Sequence, residues 1–136
     1  MKNCELCELI KEKDRLIEKN DSCFAIINLE PLKKGHIMVL PKRHIEKMSD
    51  LSEQESKAIF DMLNNLKDRL NKKYSEDVII FINTGKHSSE PHLHIHILPS
   101  KGNIRNFFQS YENVAYRKRL SNEELKKFKD YIKVKE

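Results

Sequence analysis

His92, His94 and His96 alternate with Leu93, Ile95 and Ile97 between Pro91 and Pro99. In a β-strand, successive side chains point to opposite faces, so the three imidazoles would share one face and the aliphatic residues the other. The flanking prolines suit strand ends and oppose a helix through the run. Imidazole is near-neutral at physiological pH and can serve as nucleophile, acid, base or metal ligand. A neutral imidazole can attack phosphorus and form a phosphoramidate, which splits one hard displacement into two easier ones. Its second nitrogen then needs an acceptor, such as a backbone carbonyl, to fix the tautomer. Flanking imidazoles can donate to the phosphoryl oxygens, where transition-state charge is spread. The middle histidine, His94, has a neighbour on each side and is best placed for attack. A three-histidine catalytic metal site is the competing chemistry, with Glu90 the only close carboxylate.

Cys4-Glu5-Leu6-Cys7 forms a second constellation. One C-x-x-C fits zinc, redox chemistry or chance about equally. Cys23 falls in an apolar run and reads as a small buried residue. Three cysteines are an odd number with two in a C-x-x-C, and in a cytosolic chain that favours metal or redox chemistry over a disulfide framework.

These residues must be positioned by a modest chain. A length of 136 residues predicts one domain with a real core. Residues 15–18 and 23–27 read as strands joined by the turn-rich Lys19-Asn20-Asp21-Ser22, and residues 36–40 as a third. Ser52 and Glu55 form a capping box. Behind it Ile59, Leu63, Leu66 and Leu70 recur at helical spacing, which predicts a helix over 52–72. Phe60 and Met62 lie off that stripe and suggest an interface face. Residues 78–82 and 93–98 complete five strands. A short helix is expected over residues 5–13. Ser121 and Glu124 cap a final helix with Leu125, Phe128 and Ile132 on its stripe. Residues 100–120 lack periodicity, and Phe107, Phe108, Tyr111 and Tyr116 there read as core or interface residues before nucleobase contacts. The tally is an α+β fold with an antiparallel sheet and one long helix.

Composition narrows the function. Three glycines and no Gly-rich loop argue against a P-loop or a dinucleotide fold. No apolar run approaches a membrane span, and the first residues lack a signal-like apolar region, so a cytoplasmic location is expected. The net charge of +5 suits phosphate-bearing substrates. Basic clusters such as Lys33-Lys34, Lys42-Arg43 and Arg117-Lys118-Arg119 are interrupted by acids, so no long nucleic acid is expected as a partner.

The alternating histidines also resemble the signature of the histidine-triad (HIT) family of nucleotide hydrolases and transferases. Gly35-His36-Ile37-Met38-Val39-Leu40-Pro41-Lys42-Arg43-His44 resembles the family's Gly-His-apolar run ending in Pro-Lys-x-His. Ile82-Asn83-Thr84-Gly85 resembles its Asn-x-Gly turn. The likeness spans about residues 4–100, so residues 1–136 read as a single HIT-like domain with a C-terminal extension over 101–136. It implies a HIT-like five-stranded antiparallel sheet, a homodimer paired through the long helix, and a purine nucleotide substrate with no organic cofactor. It implies His94 as nucleophile, with His96 at the scissile phosphate and His92 and His36 in the same network. Asn28 would bind ribose, and Asn83 phosphate or ribose. Ser89 would donate to phosphate near the leaving group. Bacterial and archaeal members carry a C-x-x-C that binds structural zinc with two histidines, which implies Cys4, Cys7, His44 and His92 as ligands. The chain departs from the pattern before the triad, where His87-Ser88-Ser89-Glu90-Pro91 replaces Gly-Gln-Ser/Thr-Val-x and the loop is two residues short. After it, Pro99-Ser100 replaces Pro-Arg. His87 has no counterpart. Three readings stay open: a covalent nucleotidyl hydrolase acting on P–N or phosphoanhydride bonds, a metal-dependent hydrolase, and a zinc-stabilised nucleotide-binding module without turnover.

Overall fold

The computed structural model describes residues 4–88, 90–112 and 119–133. Two compact units divide at Lys101 and Gly102. In the first, the short α1 (Glu5–Glu8) runs into a 3₁₀ turn at Leu9–Lys11, so the N-terminal helix is shorter than the sequence suggests. Strand β1 (Leu16–Lys19) turns into β2 (Cys23–Ile27). The Asn20 side-chain oxygen accepts the N–H groups of Ser22 and Cys23, at 2.9 and 2.8 Å, and so closes that turn. Strands β3 (Ile37–Pro41), β4 (Asp77–Phe81) and β5 (Ile95–Ser100) complete the sheet. Its order is β1-β2-β3-β5-β4 and every pairing is antiparallel.

Residue alternation sorts the sheet into two faces. Cys23, Ala25, Ile37, Val39, Ile95 and Ile97 face the long helix α2 (Glu53–Tyr74) and pack on its Ile59, Met62, Leu63, Leu66 and Leu70. Phe24, Ile26, Met38 and Leu40 face the other way, against Cys4, Leu6 and Leu9. His96 pairs with Met38 across β3 and β5 and therefore shares this second face. Helix α2 starts at the expected capping box, with Ser52 Oγ accepting the Glu55 N–H and the Glu55 carboxylate accepting the Ser52 N–H. The same carboxylate takes a 2.8 Å bond from Arg43, which also donates to the Asp50 carbonyl. That ion pair holds Glu55 at a pKa of about 2 and ties the segment carrying His44 to the helix start.

Three expectations are corrected. β5 begins at Ile95, so His92 and His94 precede the regular strand. The chain there is held by other contacts: Leu93 N–H donates to the Ile45 carbonyl, and the His92 ring bonds the Pro41 carbonyl. Likewise β3 begins at Ile37, one residue after His36. Met62 is a core residue, with its sulfur 3.8 Å from Cys23 Sγ, whereas Phe60 is 67% exposed.

The second unit contains a helix that the sequence did not announce, α3 (Ile104–Glu112), and the expected α4 (Asn122–Lys133) behind a Ser121–Glu124 capping box. Phe107, Phe108 and Tyr111 on α3 are exposed, so they do not fill a core, and Leu125, Phe128 and Ile132 on α4 are exposed as well. Tyr116, Arg117 and Lys118 lie outside the described residues.

Gly35 sits at φ +95°, and a Cβ there would lie 2.9 Å from Pro99 Cγ and 3.0 Å from Tyr74 Cε2. Gly35→Ala is expected to destabilise the chain by about 2 kcal/mol or more through the positive φ and these contacts together. Urea unfolding measures it. An unchanged midpoint would show that the β2–β3 loop adapts freely.

Candidate active site and metal-ligand cluster

Two clusters lie side by side and share His92. In the first, Cys7 Sγ is 3.3 Å from His44 Nδ1 and 3.2 Å from His92 Nδ1, while Cys4 Sγ is 3.6 Å from His92 Nδ1. The ligand atoms of Cys4, Cys7, His44 and His92 all lie within 4.8 Å of one another. A tetrahedral ion with sulfur at ~2.3 Å and nitrogen at ~2.1 Å sets neighbouring S and N about 3.6 Å apart, so the four residues fit a closed S₂N₂ site. His92 Nε2 lies 2.9 Å from the Pro41 carbonyl oxygen, which can only accept. The proton therefore sits on Nε2 and the Nδ1 lone pair faces the sulfurs, the orientation a ligating histidine needs. Burial and the neighbouring Cys4 push the Cys7 thiol up to about 11, so a cation is what would draw it into the thiolate form.

The second cluster holds the remaining histidines. His94 Nδ1 lies 2.8 Å from the His92 carbonyl, so Nδ1 carries a proton and, in the neutral ring, the free lone pair is on Nε2. The His94 and His96 rings meet edge to face at 4.9 Å between centroids. His36 Nε2 lies 2.8 Å from His96 Nδ1, and the Leu32 N–H donates to His36 Nδ1. Phe81 stacks on His96 at 4.5 Å with only 9° between the rings, and the β4–β5 register pairs the two residues. His36, His92, His94 and His96 are all buried. Burial lowers the pKa of His36. Burial, with possible charge on His94 and His36, lowers that of His96 to about 4. The expected network of His36, His92, His94 and His96 is thus assembled. Among the described residues, the one group of side chains close enough to share an ion is the cysteine–histidine set, not the triad.

The candidate substrate residues are placed less fully. Asn28 is half-buried at the end of β2, and its side-chain oxygen accepts the Glu30 N–H at 2.9 Å. Asn83 is exposed in the loop after β4. Ser89 lies outside the described residues. His87 is exposed on a 3₁₀ turn at Gly85–His87. Sequence reasoning missed Phe81, the Leu32 amide and the Pro41 carbonyl. The last two are backbone groups with no signature in residue type, and Phe81 becomes legible only once the β4–β5 register is known.

Residues 10–103 match the HIT domain. The chain belongs to the HIT family. It is 29% identical over 121 residues to a nitrilase and fragile histidine triad fusion protein of Caenorhabditis elegans, covering 82% of this chain and 28% of that protein. It is 33% identical over 81 residues to a bis(5'-adenosyl)-triphosphatase of Dictyostelium discoideum, covering 57% of this chain and 54% of that one. The chain thus spans between about a quarter and about half the length of these relatives. A HIT family protein from Bacillus subtilis shares the fold, with a TM-score of 0.73 and 21% identity over 96% of this chain and 95% of its own.

The lowered pKa of His96 couples acidity to stability. In an unfolded chain it takes up a proton near 6.5, in the folded chain only near 4. The unfolded state therefore binds more protons between these values, and acidification through that window favours unfolding. Stability measured in urea should fall from pH 6.5 towards 4, and fall less steeply in His96→Gln, which keeps the cysteine cluster. Identical slopes would show that His96 titrates alike in both states.

Proposed function

We propose that this chain is a HIT-type nucleotide hydrolase or transferase that passes a nucleoside monophosphate through a covalent intermediate on His94. The observation that carries the reading is the His94 ring: its Nδ1–H is held by the His92 carbonyl at 2.8 Å, which leaves Nε2 as an unprotonated nucleophile beside His96. The relatives named bis(5'-adenosyl)-triphosphatase support a purine nucleotide substrate joined through a phosphoanhydride. A nucleoside phosphoramidate is the alternative. Asn28 and Asn83 would meet ribose and phosphate, and Ser89 the leaving side. His94→Ala should lose about 1,000-fold or more in turnover while nucleotide affinity stays within about tenfold. Full turnover in that variant would exclude the covalent route. Tight binding by wild type with no turnover of any nucleotide would favour a binding module.

The ion held by Cys4, Cys7, His44 and His92 is proposed to be zinc in a structural role, because two thiolates and two imidazoles leave no open position for substrate. Elemental analysis should find one zinc per chain. Replacing Cys4 and Cys7 with Ser should lower the melting temperature by several degrees and change the initial rate less. A rate lost on chelation in still-folded protein, and restored by metal, would make the ion catalytic instead. The three free cysteines fit a reducing cytoplasm. No helix among the described residues is long and apolar enough to cross a membrane.

Assembly follows from the exposed apolar surface. β4 is an edge strand, Ile80 on it is 44% exposed, and Phe60 projects from α2. Both support a homodimer centred on residues 52–72 and the adjacent strand. The end of the HIT match at residue 103 supports one HIT-like domain with residues 101–136 as an extension. Light scattering at micromolar concentration tests the assembly, and a clean 16.1 kDa species would refute it.

A further inference from the structure

The resting protons of the site follow from its hydrogen bonds. The Leu32 N–H donates to His36 Nδ1 at 3.1 Å. An amide can only donate, so that nitrogen is unprotonated and His36 is neutral with its proton on Nε2. This N–H meets His96 Nδ1 at 2.8 Å, which must be the acceptor in turn. His96 is therefore neutral too, with its own proton on Nε2. That Nε2 is buried and has no hydrogen-bond partner among the described residues. Phe81 covers the face of the ring, so the edge bearing Nε2 is what His96 can offer a ligand. Burial lowers the proton affinity of both rings and acts in the same direction.

We propose that the main-chain N–H of Leu32, acting through His36, fixes His96 as a hydrogen-bond donor that does not protonate the leaving group. The inference rests on the covalent reading above and narrows it to leaving groups that depart as anions. In the first step the Nε2 lone pair of His94 forms an N–P bond and the bond from phosphorus to the leaving oxygen breaks. That oxygen keeps both electrons and accepts a hydrogen bond from His96 Nε2–H, whose proton stays on nitrogen. Giving it up would leave an imidazolate, far more basic than any phosphate oxygen. In the second step water attacks phosphorus, the N–P electron pair returns to His94 Nε2, and the surplus water proton passes to solvent. A terminal phosphate or an acidic phenol can leave in this way; an alkoxide or an unprotonated amide ion cannot. Leu32 is a positioning residue here, through its backbone alone.

Side-chain ¹⁵N spectra of the full chain at pH 7 read the rings directly. His36 and His96 are expected as neutral rings protonated on Nε2. An imidazolium at either would overturn the proposal, whether or not the chain turns nucleotides over. A kinetic test uses adenosine monophosphate esters of substituted phenols. Rates should fall roughly 100-fold or more from 4-nitrophenol to phenol, the steep dependence of an unprotonated leaving group. A flat series would mean that a proton is delivered and would also overturn it. Leu32→Pro deletes the N–H and frees His36 Nδ1 to take a second proton; it should flatten the series. If that variant does not fold, the wild-type spectra and series decide alone. A folded wild type that cleaves none of the esters counts against the hydrolase reading, and the spectra still decide this one.

Discussion

The rest of the site depends on a single peptide carbonyl. That of His92 accepts the Nδ1–H of His94, and this bond decides which nitrogen of the His94 ring faces away from the backbone. The carbonyl is not held by strand pairing, because β5 starts only at Ile95. Its peptide is held by its own N–H, that of Leu93, which donates to the Ile45 carbonyl, and by the side chain of His92. The His92 ring is fixed at one nitrogen by the Pro41 carbonyl and at the other by the sulfurs of Cys4 and Cys7. Local backbone order is thus supplied by one loop hydrogen bond and by side-chain chemistry where the strand has not yet begun.

This arrangement gives the two faces of the sheet different work. One face is closed by α2 and carries the larger apolar cluster. The other carries the N-terminal segment, the cysteine cluster and His96, so polar groups are buried there in number. A buried polar group is costly unless it is bonded. The site meets that cost by passing bonds from Leu32 to His36 to His96, and leaves His96 Nε2 buried without a partner among the described residues.

Much of this was legible in the sequence because it is written in period and residue type. The alternation of His92, His94 and His96 with aliphatic residues placed the rings together, although part of the run lies outside the strand. The capping boxes at Ser52 and Ser121 marked both long helix starts. Met62 was misread because it stands three residues after Ile59 and four before Leu66, on the same helix face, and the core stripe is wider than the four residues first read. Helix α3 was missed although Ile104, Phe107, Phe108 and Tyr111 stand at helical spacing, because it is only nine residues long and its cap, Asn103 accepting the Asn106 N–H, lacks the Glu of a capping box. Phe81 and the Leu32 amide depend on strand register and on a loop path, which no residue pattern encodes.

The position of β5 in the sheet has a consequence for how the protein fluctuates. It is hydrogen-bonded on both sides, to β3 and to β4, while β1 and β4 each have a free edge. Central strands open only with the global unfolding of their unit, whereas loops open almost without cost. His96 therefore lies on one of three inner strands, whose amides should exchange with solvent late, and Asn83 and His87 lie in a loop whose amides should exchange early. On the function proposed above, chemistry and recognition would be separated along a gradient of local stability. Changes in the loops would then alter what is bound without loosening the histidine rings.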